Sequence, residues 1–296
     1  MILVTGAKGV VGVPLCEALS KSNRDFLSVS RHSNNRDSIQ WDLICSSERN
    51  RTNLKSSLEG VTRLIHCAPI WLLPANLAFL NEVGVKQIVV FSSTSVLSKK
   101  SSQNAHEQSL VTQLADAESK VADFCSLQKI DLTILRPTLI YGYGRDQNVS
   151  HIAKFIRRYK FMFLVGKASG LRQPVHADDL VNAALSCLTT RKHKKMIYNL
   201  AGRDVLTYRE MVERIFNGLG YKTRIFSIPL NVFRLALTCA NKLGKFSYTP
   251  EMADRMNQDL DYDYSDAERD LGFAPQGFLE QAERDLVINE AFPTLS

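Results

Sequence analysis

Near the start of the chain, TGAKGVVG (residues 5–12) places glycines at 6, 9 and 12 between the apolar run MILV and VPLCEALSKS, whose apolar residues recur at helical spacing. Where a strand turns this sharply into a helix, glycine permits the turn. It also lets a pyrophosphate approach backbone N–H groups and lets the helix pack close on the strand. The helix N-terminus adds unpaired donors and the positive end of its dipole. Gly6, Gly9 and Gly12 are therefore expected to cradle a dinucleotide. The alternative is a glycine-rich turn with no ligand.

The next strand, DFLSVSR, ends at Ser30 and Arg31, where a cofactor with a free ribose 2′-hydroxyl usually meets a carboxylate. With Lys8 inside the glycine turn, two cations and no acid favour the 2′-phosphate of NADP(H) over NAD(H). The alternative is an Arg31 that is merely exposed, with no selection at the adenosine end. In IQWDL, Asp42 stands after a short apolar strand, where a carboxylate would accept from the adenine amino group.

These residues need a scaffold. Apolar strand candidates at 1–5, 26–30, 63–68, 87–92 and 132–136 alternate with helical segments, the pattern of right-handed βαβ units in a doubly wound parallel sheet. Ligands of such sheets bind outside the carboxyl ends of the strands, where Gly6, Ala68, Ser93 and Pro137 fall. A chain of 296 residues, 45% hydrophobic and without low-complexity tracts, can bury such a core. Its six cysteines form no metal-ligand spacing, so no metal is expected and they read as reduced thiols of a cytoplasmic protein. The chain opens on a strand, leaving no room for a signal peptide, and no run reaches the ~18 apolar residues of a bilayer span.

The formal charge is +7, and Lys154, Arg157, Arg158, Lys160 and Lys167 stand between Arg145 and Arg172 against one acid, Asp146. Such a run is either a solvated helix face or an attractor for a nucleotide diphosphate. Nucleic acid is not expected, since no aromatic-interleaved patch or known binding motif accompanies the charge.

Six motifs in order, VTGAKGVVG, RLIHCAP, VVFSSTSVL, LTILRPTLIYGYG, LRQPVHADDLVNAAL and DYSDAERDLGFAP, resemble the short-chain dehydrogenase/reductase superfamily in its extended sugar epimerase/dehydratase form. The resemblance implies a Rossmann domain over 1–143 that the chain re-enters at about 174–215, and a smaller C-terminal α/β substrate lobe over 144–173 and 216–296. It implies that Ser92 and Ser93 follow the fifth strand, with Ser93 holding the substrate. Pro137 and Thr138 would pack beside the nicotinamide, while Asn148 and Arg172 would hold the diphosphate of a nucleotide-sugar. Arg255 would be a second phosphate ligand. Asp178 reads as a helix N-cap, and His176 as a packed strand-end residue rather than a base.

One part of the pattern is broken. Active members of the superfamily carry Tyr-x-x-x-Lys on the helix before the sixth strand, as general acid/base and its pKa-lowering partner. Here that stretch reads SLVTQLADAESK, residues 109–120, without a tyrosine. Anchoring on Lys120 puts Asp116 in the tyrosine position. Anchoring on Glu118 fits the family spacing better and puts Leu110 and Leu114 in place of both residues. Tyr143 and His66 are the substitutes the sequence offers as proton donor.

In the second lobe TYREMVERIFNGLGY predicts a helix opened by a Thr207–Glu210 capping box. IPLNVFRLALTCANKLG, residues 228–244, reads either as a packed helix or as a lid or membrane-surface contact. Two functions remain open. One is an NADP(H)-dependent enzyme acting on a nucleotide-activated sugar, with a non-standard proton donor and a possible homodimer. The other is a non-catalytic NADP(H)-binding sensor or assembly protein.

Overall fold

The computed structural model describes residues 1–31, 38–44, 54–98, 105–189, 195–233 and 255–287. Two of the cysteines, Cys45 and Cys239, and most of the 228–244 segment, with Arg234 and Lys242, lie outside them.

Apolar, branched runs make the strands. β1 (Ile2–Thr5), β2 (Phe26–Ser30), β3 (Ser38–Gln40), β4 (Arg63–His66), β5 (Gln87–Phe91), β6 (Asp131–Pro137) and a later strand, β11 (Ile197–Leu200), form one seven-stranded sheet. Its order is β11-β6-β5-β4-β1-β2-β3, with every pair parallel. Consecutive residues such as Leu3 and Val4 or Ile88 and Val89 are fully buried, so both faces of the sheet are covered. That is why these strands read as continuous rather than alternating apolar runs. The strand order reverses between β1 and β4, the place where doubly wound sheets open a crevice for ligands.

The chain divides into two compact units. The first comprises 1–137, 177–200 and 263–274, the second 138–176, 201–262 and 275–296. These edges differ from the sequence expectation, most clearly near the C-terminus. The helix Ser265–Leu271, expected in the substrate lobe, belongs to the first unit. Ala267 and Leu271 are buried, Tyr198 of β11 hydrogen-bonds Asp270 at 3.2 Å, and Lys195 pairs with Asp266. These partners lie some 70 residues apart in sequence, so no local signal announced the return.

The second unit packs its helices Val149–Tyr159 and Tyr208–Gly218 around Tyr141, Ile156, Leu164, Met211 and Phe216. The capping box opens the second of these helices: Glu210 N–H donates to Thr207 Oγ1, and Thr207 N–H to Glu210 Oε2 at 2.7 Å.

In the first unit the long helix Ala105–Gln128 lies on the sheet with Leu114, Ala117 and Val121 in the core. Beside them Glu118 is buried and forks onto Arg136 of β6, with Nε–Oε1 at 2.9 Å and a second, parallel contact from Nη2 to Oε2. Removing one member of a buried pair strands the other charge. Glu118→Ala is therefore expected to cost about 3–5 kcal/mol, read as a lowered urea midpoint. Glu118→Ala combined with Arg136→Met should recover part of that loss. A single variant as stable as wild type would show that the pair contributes nothing.

Candidate functional site

The glycine turn sits at the reversal point of the sheet. Gly6 adopts φ +71°, and a Cβ there would lie 2.4 Å from the backbone nitrogen of Ala68, at the end of β4. A Cβ on Gly12 would lie 2.1 Å from the Gly6 carbonyl. Both glycines are therefore fixed by close packing of β1, β4 and the helix Gly12–Lys21. Gly9 differs. It is exposed, and an added Cβ would meet only the Gly6 carbonyl, at 3.2 Å, so the space in front of it is open. The helix has no side-chain cap and no acid in its first turn, which suits an incoming phosphate. The residues present therefore fit a dinucleotide. Lys8 and Arg31 are exposed at the same end of the sheet. Asp42 has a local partner, since its Oδ1 accepts from Ile44 N–H at 3.0 Å.

The carboxyl ends of β5 and β6 are tied together by Thr94, whose N–H and hydroxyl both donate to the Pro137 carbonyl, at 3.1 and 3.2 Å. Ser92 donates its N–H to Leu135, while its buried Oγ has no hydrogen-bond partner among the described residues. Ser93 Oγ accepts from Ser95 N–H at 3.1 Å and donates to Ser95 Oγ at 3.0 Å. A polar hydroxyl set thus stands at the strand ends.

His66 does not fit the role of proton donor. It is 1% exposed, with Nε2 3.2 Å from the Pro69 carbonyl and Nδ1 2.7 Å from Thr5 Oγ1. A carbonyl only accepts, so Nε2 bears the proton and Nδ1 accepts from the threonine. Burial pushes the imidazole down to about 4, against a smaller upward pull from the Pro69 hydrogen bond. The ring is neutral and both nitrogens are committed. The four described cysteines are equally inert: burial raises Cys16 and Cys125 to about 11 and Cys187 to about 12, and holds Cys67 higher still.

The helix shows what replaced the usual pair. Asp116 and Lys120 form an exposed ion pair at 2.8 Å, so the register that puts Asp116 in the tyrosine position faces solvent. Glu118, the other anchor, is buried and grips Arg136 of the RPT motif. Leu114 is 4% exposed and Leu110 packs on the same core, together with Ile70, Trp71 and Leu73 from the turns after β4. Leu110 and Leu114, the positions expected from the Glu118 anchor, thus form part of an apolar wall. The contribution of Ile70–Leu73 was not foreseen from sequence.

In the second unit the expected phosphate ligands are differently engaged. Arg172, 5% exposed, donates to the carbonyls of Leu171 and Gln258, at 2.6 and 2.8 Å, and to that of Arg255. Its fork secures the 255–260 segment instead of facing an open anion site. Arg255 is held at its backbone by that contact, and burial lowers the pKa of its guanidinium. Asn148 is exposed at the start of helix Val149–Tyr159, but its side chain does not cap it. The buried Asp146 does, accepting from the N–H groups of Asn148 and Ser150 and from the Ser150 hydroxyl at 2.6 Å. Asp178 lies inside the first turn of Ala177–Thr189 rather than at its cap. Thr138 donates to the Gln173 carbonyl.

Tyr143, φ +59°, lies with its ring 5.4 Å from that of His176 and under the Arg284 guanidinium at 4.7 Å. His176 and Asp285 are fully buried and 3.0 Å apart, and Arg284 Nε reaches Asp285 at 2.9 Å. Burial raises the Asp285 carboxyl, but hydrogen bonds from His176 and Arg284 outweigh it and hold the group below its usual range. Gly142 completes the knot, since a Cβ there would lie 2.6 Å from His176 Nε2. His176 is thus the packed strand-end residue expected. Its partner, 109 positions away, carried no sequence signal. Tyr141 is also structural, accepting from Leu279 N–H and donating to the Gly277 carbonyl.

Depression of a histidine pKa makes stability pH-dependent. Unfolded, His66 takes up a proton near its ordinary 6.5; folded, it does so only near about 4. Its contribution is present above 6.5 and is lost as pH falls toward 4. His66→Gln is therefore expected to flatten the decline in unfolding free energy across that window by up to one proton's slope. Equal slopes for the two proteins would mean that His66 titrates normally.

The comparisons with known proteins agree with this scaffold. The model of the NAD dependent epimerase/dehydratase family matches residues 45–201. A UDP-glucose 4-epimerase of Vibrio cholerae is 24% identical over 97% of this chain and 96% of its own. An uncharacterized protein of Sinorhizobium fredii, y4nG, is 26% identical over 65% of this chain, which spans only 50% of that relative. Among solved structures, UDP-glucuronic acid 4-epimerase of Bacillus cereus in complex with NAD superposes with a TM-score of 0.73 at 17% identity, covering 96% of this chain and 95% of that one. The epimerase Mth375 of Methanothermobacter thermautotrophicus gives 0.74 at 17% identity, with 96% and 90% covered. At these identities the structural likeness speaks for the fold alone. The chain belongs to the NAD dependent epimerase/dehydratase family.

Proposed function

We propose that the chain binds NADP(H) at the glycine turn and acts by hydride transfer on a nucleotide-activated sugar, without the family's helix-borne acid. The observation behind this reading is the packed Gly6–Gly12 turn with open space before Gly9, at the point where the sheet reverses. Family membership supports it, as does the nearly full-length match to a UDP-glucose 4-epimerase. Exposed Lys8 and Arg31, with no carboxylate closing β2, favour the 2′-phosphate.

Gly6, Gly9 and Gly12 would hold the pyrophosphate, with Ala68, Ser92, Pro137 and Thr138 bordering the cofactor. When bound, the cofactor supplies a two-electron hydride acceptor. Ser93 would orient a sugar hydroxyl, exchanging its contact with Ser95 for one with substrate. With His66 neutral and committed at both nitrogens, Tyr143 is the remaining candidate for moving a proton. Asn148, Arg172 and Arg255 would serve a diphosphate only after giving up or adding to the contacts they make here.

A second reading is favoured by the Leu110–Leu114 wall: a non-catalytic NADP(H)-binding sensor or assembly protein. It requires different partner affinity in the NADPH and NADP⁺ forms, because a ligand shifts an equilibrium only by its differential affinity for two states.

Both readings meet in one experiment, in which the protein is mixed with NADP⁺ and a panel of UDP-sugars while reduced nicotinamide and sugar products are followed. Turnover is expected. It should fall roughly 10²-fold or more in Ser93→Ala and Tyr143→Phe, and Arg31→Asp should shift preference toward NAD⁺. Binding of NADPH and NADP⁺ without turnover of any sugar would contradict the catalytic reading and leave the sensor.

A further inference from the structure

The basic run of the second unit comes with an exposed aromatic surface. Strands β8 (Met162–Val165) and β13 (Ile225–Ile228) pair in parallel with Phe163 opposite Phe226. Side chains alternate across a strand. Leu164 and Ile225 face the core, and the two phenylalanines face outward, 46% and 54% exposed, with their rings 5.8 Å apart. Phe161 joins them at 5.1 and 6.0 Å, and Phe155 and Tyr159, from the last turns of helix Val149–Tyr159, extend the row. Val232, 55% exposed, adds an aliphatic group farther along.

Cations surround the rings. Arg158 lies over Tyr159 at 5.5 Å and Lys160 over Tyr221 at 3.5 Å, while Lys222 and Arg224 are exposed just before β13. No acid lies beside them in the chain. Residues 147–177 and 214–250 contain neither aspartate nor glutamate. Asp146, just before the first of these stretches, is buried and spent on a helix terminus. The expectation of a basic run without an aromatic patch is overturned, because folding gathers rings from three separate segments.

We propose that this face docks on the surface of an anionic phospholipid bilayer. Exposed rings and aliphatic groups suit the headgroup–acyl boundary, and a lysine/arginine rim suits anionic headgroups. No described helix is long and apolar enough to cross a membrane, so the contact is peripheral. A second copy fits less well, since the patch meeting itself would bring its own cations together. A single-stranded nucleic acid fits less well too. It needs ring faces for stacking, and here most of the rings meet edge-on or tilted, beside the aliphatic Val232.

The test is flotation of the full chain with vesicles of phosphatidylcholine alone and with roughly one-third phosphatidylglycerol, at about 0.1 and 0.5 M salt. Binding to the anionic vesicles at low salt is expected, with loss at high salt and little binding to neutral ones. Phe163→Ser/Phe226→Ser should lower the bound fraction about tenfold, and Arg158→Glu/Lys222→Glu should do the same with the exposed rings left in place. Both variants should keep the wild-type thermal midpoint. Four results would each overturn the proposal: no vesicle binding, equal binding to neutral and anionic vesicles, binding unchanged in the variants, or capture of a single-stranded oligonucleotide in place of vesicles. A dimer that the phenylalanine variant dissociates, without vesicle binding, would assign the face to self-association instead.

Discussion

The Gly6 carbonyl and the Gly12 backbone are in close contact, and the rest of the first unit is arranged around that contact. A side chain at 12 would sit 2.1 Å from the carbonyl, and one at 6 would strike the backbone after β4. With both absent, the first helix settles against β1 and β1 settles beside β4. The sheet order reverses at this point, between β1 and β4. Gly9, the middle residue, donates its N–H to the same Gly6 carbonyl at 2.9 Å, and beyond that carbonyl and its chain neighbours nothing lies within 4 Å of where its Cβ would stand.

Beyond this turn the molecule has kept structure where the family usually keeps chemistry. The forked Glu118–Arg136 pair pins the long helix to β6, and Leu110 and Leu114, where the sequence expectation puts the missing acid and lysine, pack into the core. Their neighbours Ile70 and Leu73 are buried as completely as any core residue. Reintroducing a charge at Leu114 would place it in apolar surroundings, where burial penalises the ionised form. The replacement is therefore self-consistent rather than a single lost residue.

Much of this was legible in the sequence, and what was not has a common cause. Strands 2–5 and 87–91 were visible because strands buried on both faces are apolar throughout, and the Thr207–Glu210 box because its partners are three residues apart. The family motifs fixed the order of the rest. What stayed hidden was non-local. The Asp285 partner of His176, the use of Arg172 on the carbonyls of 255 and 258, and the return of Ser265–Leu271 to the first unit all join positions more than 60 residues apart. The cap of helix Val149–Tyr159 was also missed: Asp146, two residues before Asn148 and in a loop, takes that terminus.

The central claim is that the open space before Gly9 is a dinucleotide site independent of the lost acid. The most direct measurement is calorimetric titration of wild type and Gly9→Val with NADPH, NADP⁺, NADH and NAD⁺. Gly9 does not need a left-handed backbone, but an added Cβ would press on the Gly6 carbonyl at 3.2 Å, so the variant's unfolding midpoint is measured alongside to separate a lost site from a lost fold. The account predicts saturable binding by wild type and at least about tenfold weaker binding by the variant. Equal affinity in the two proteins, or no binding by wild type to any of the four nucleotides, would contradict it.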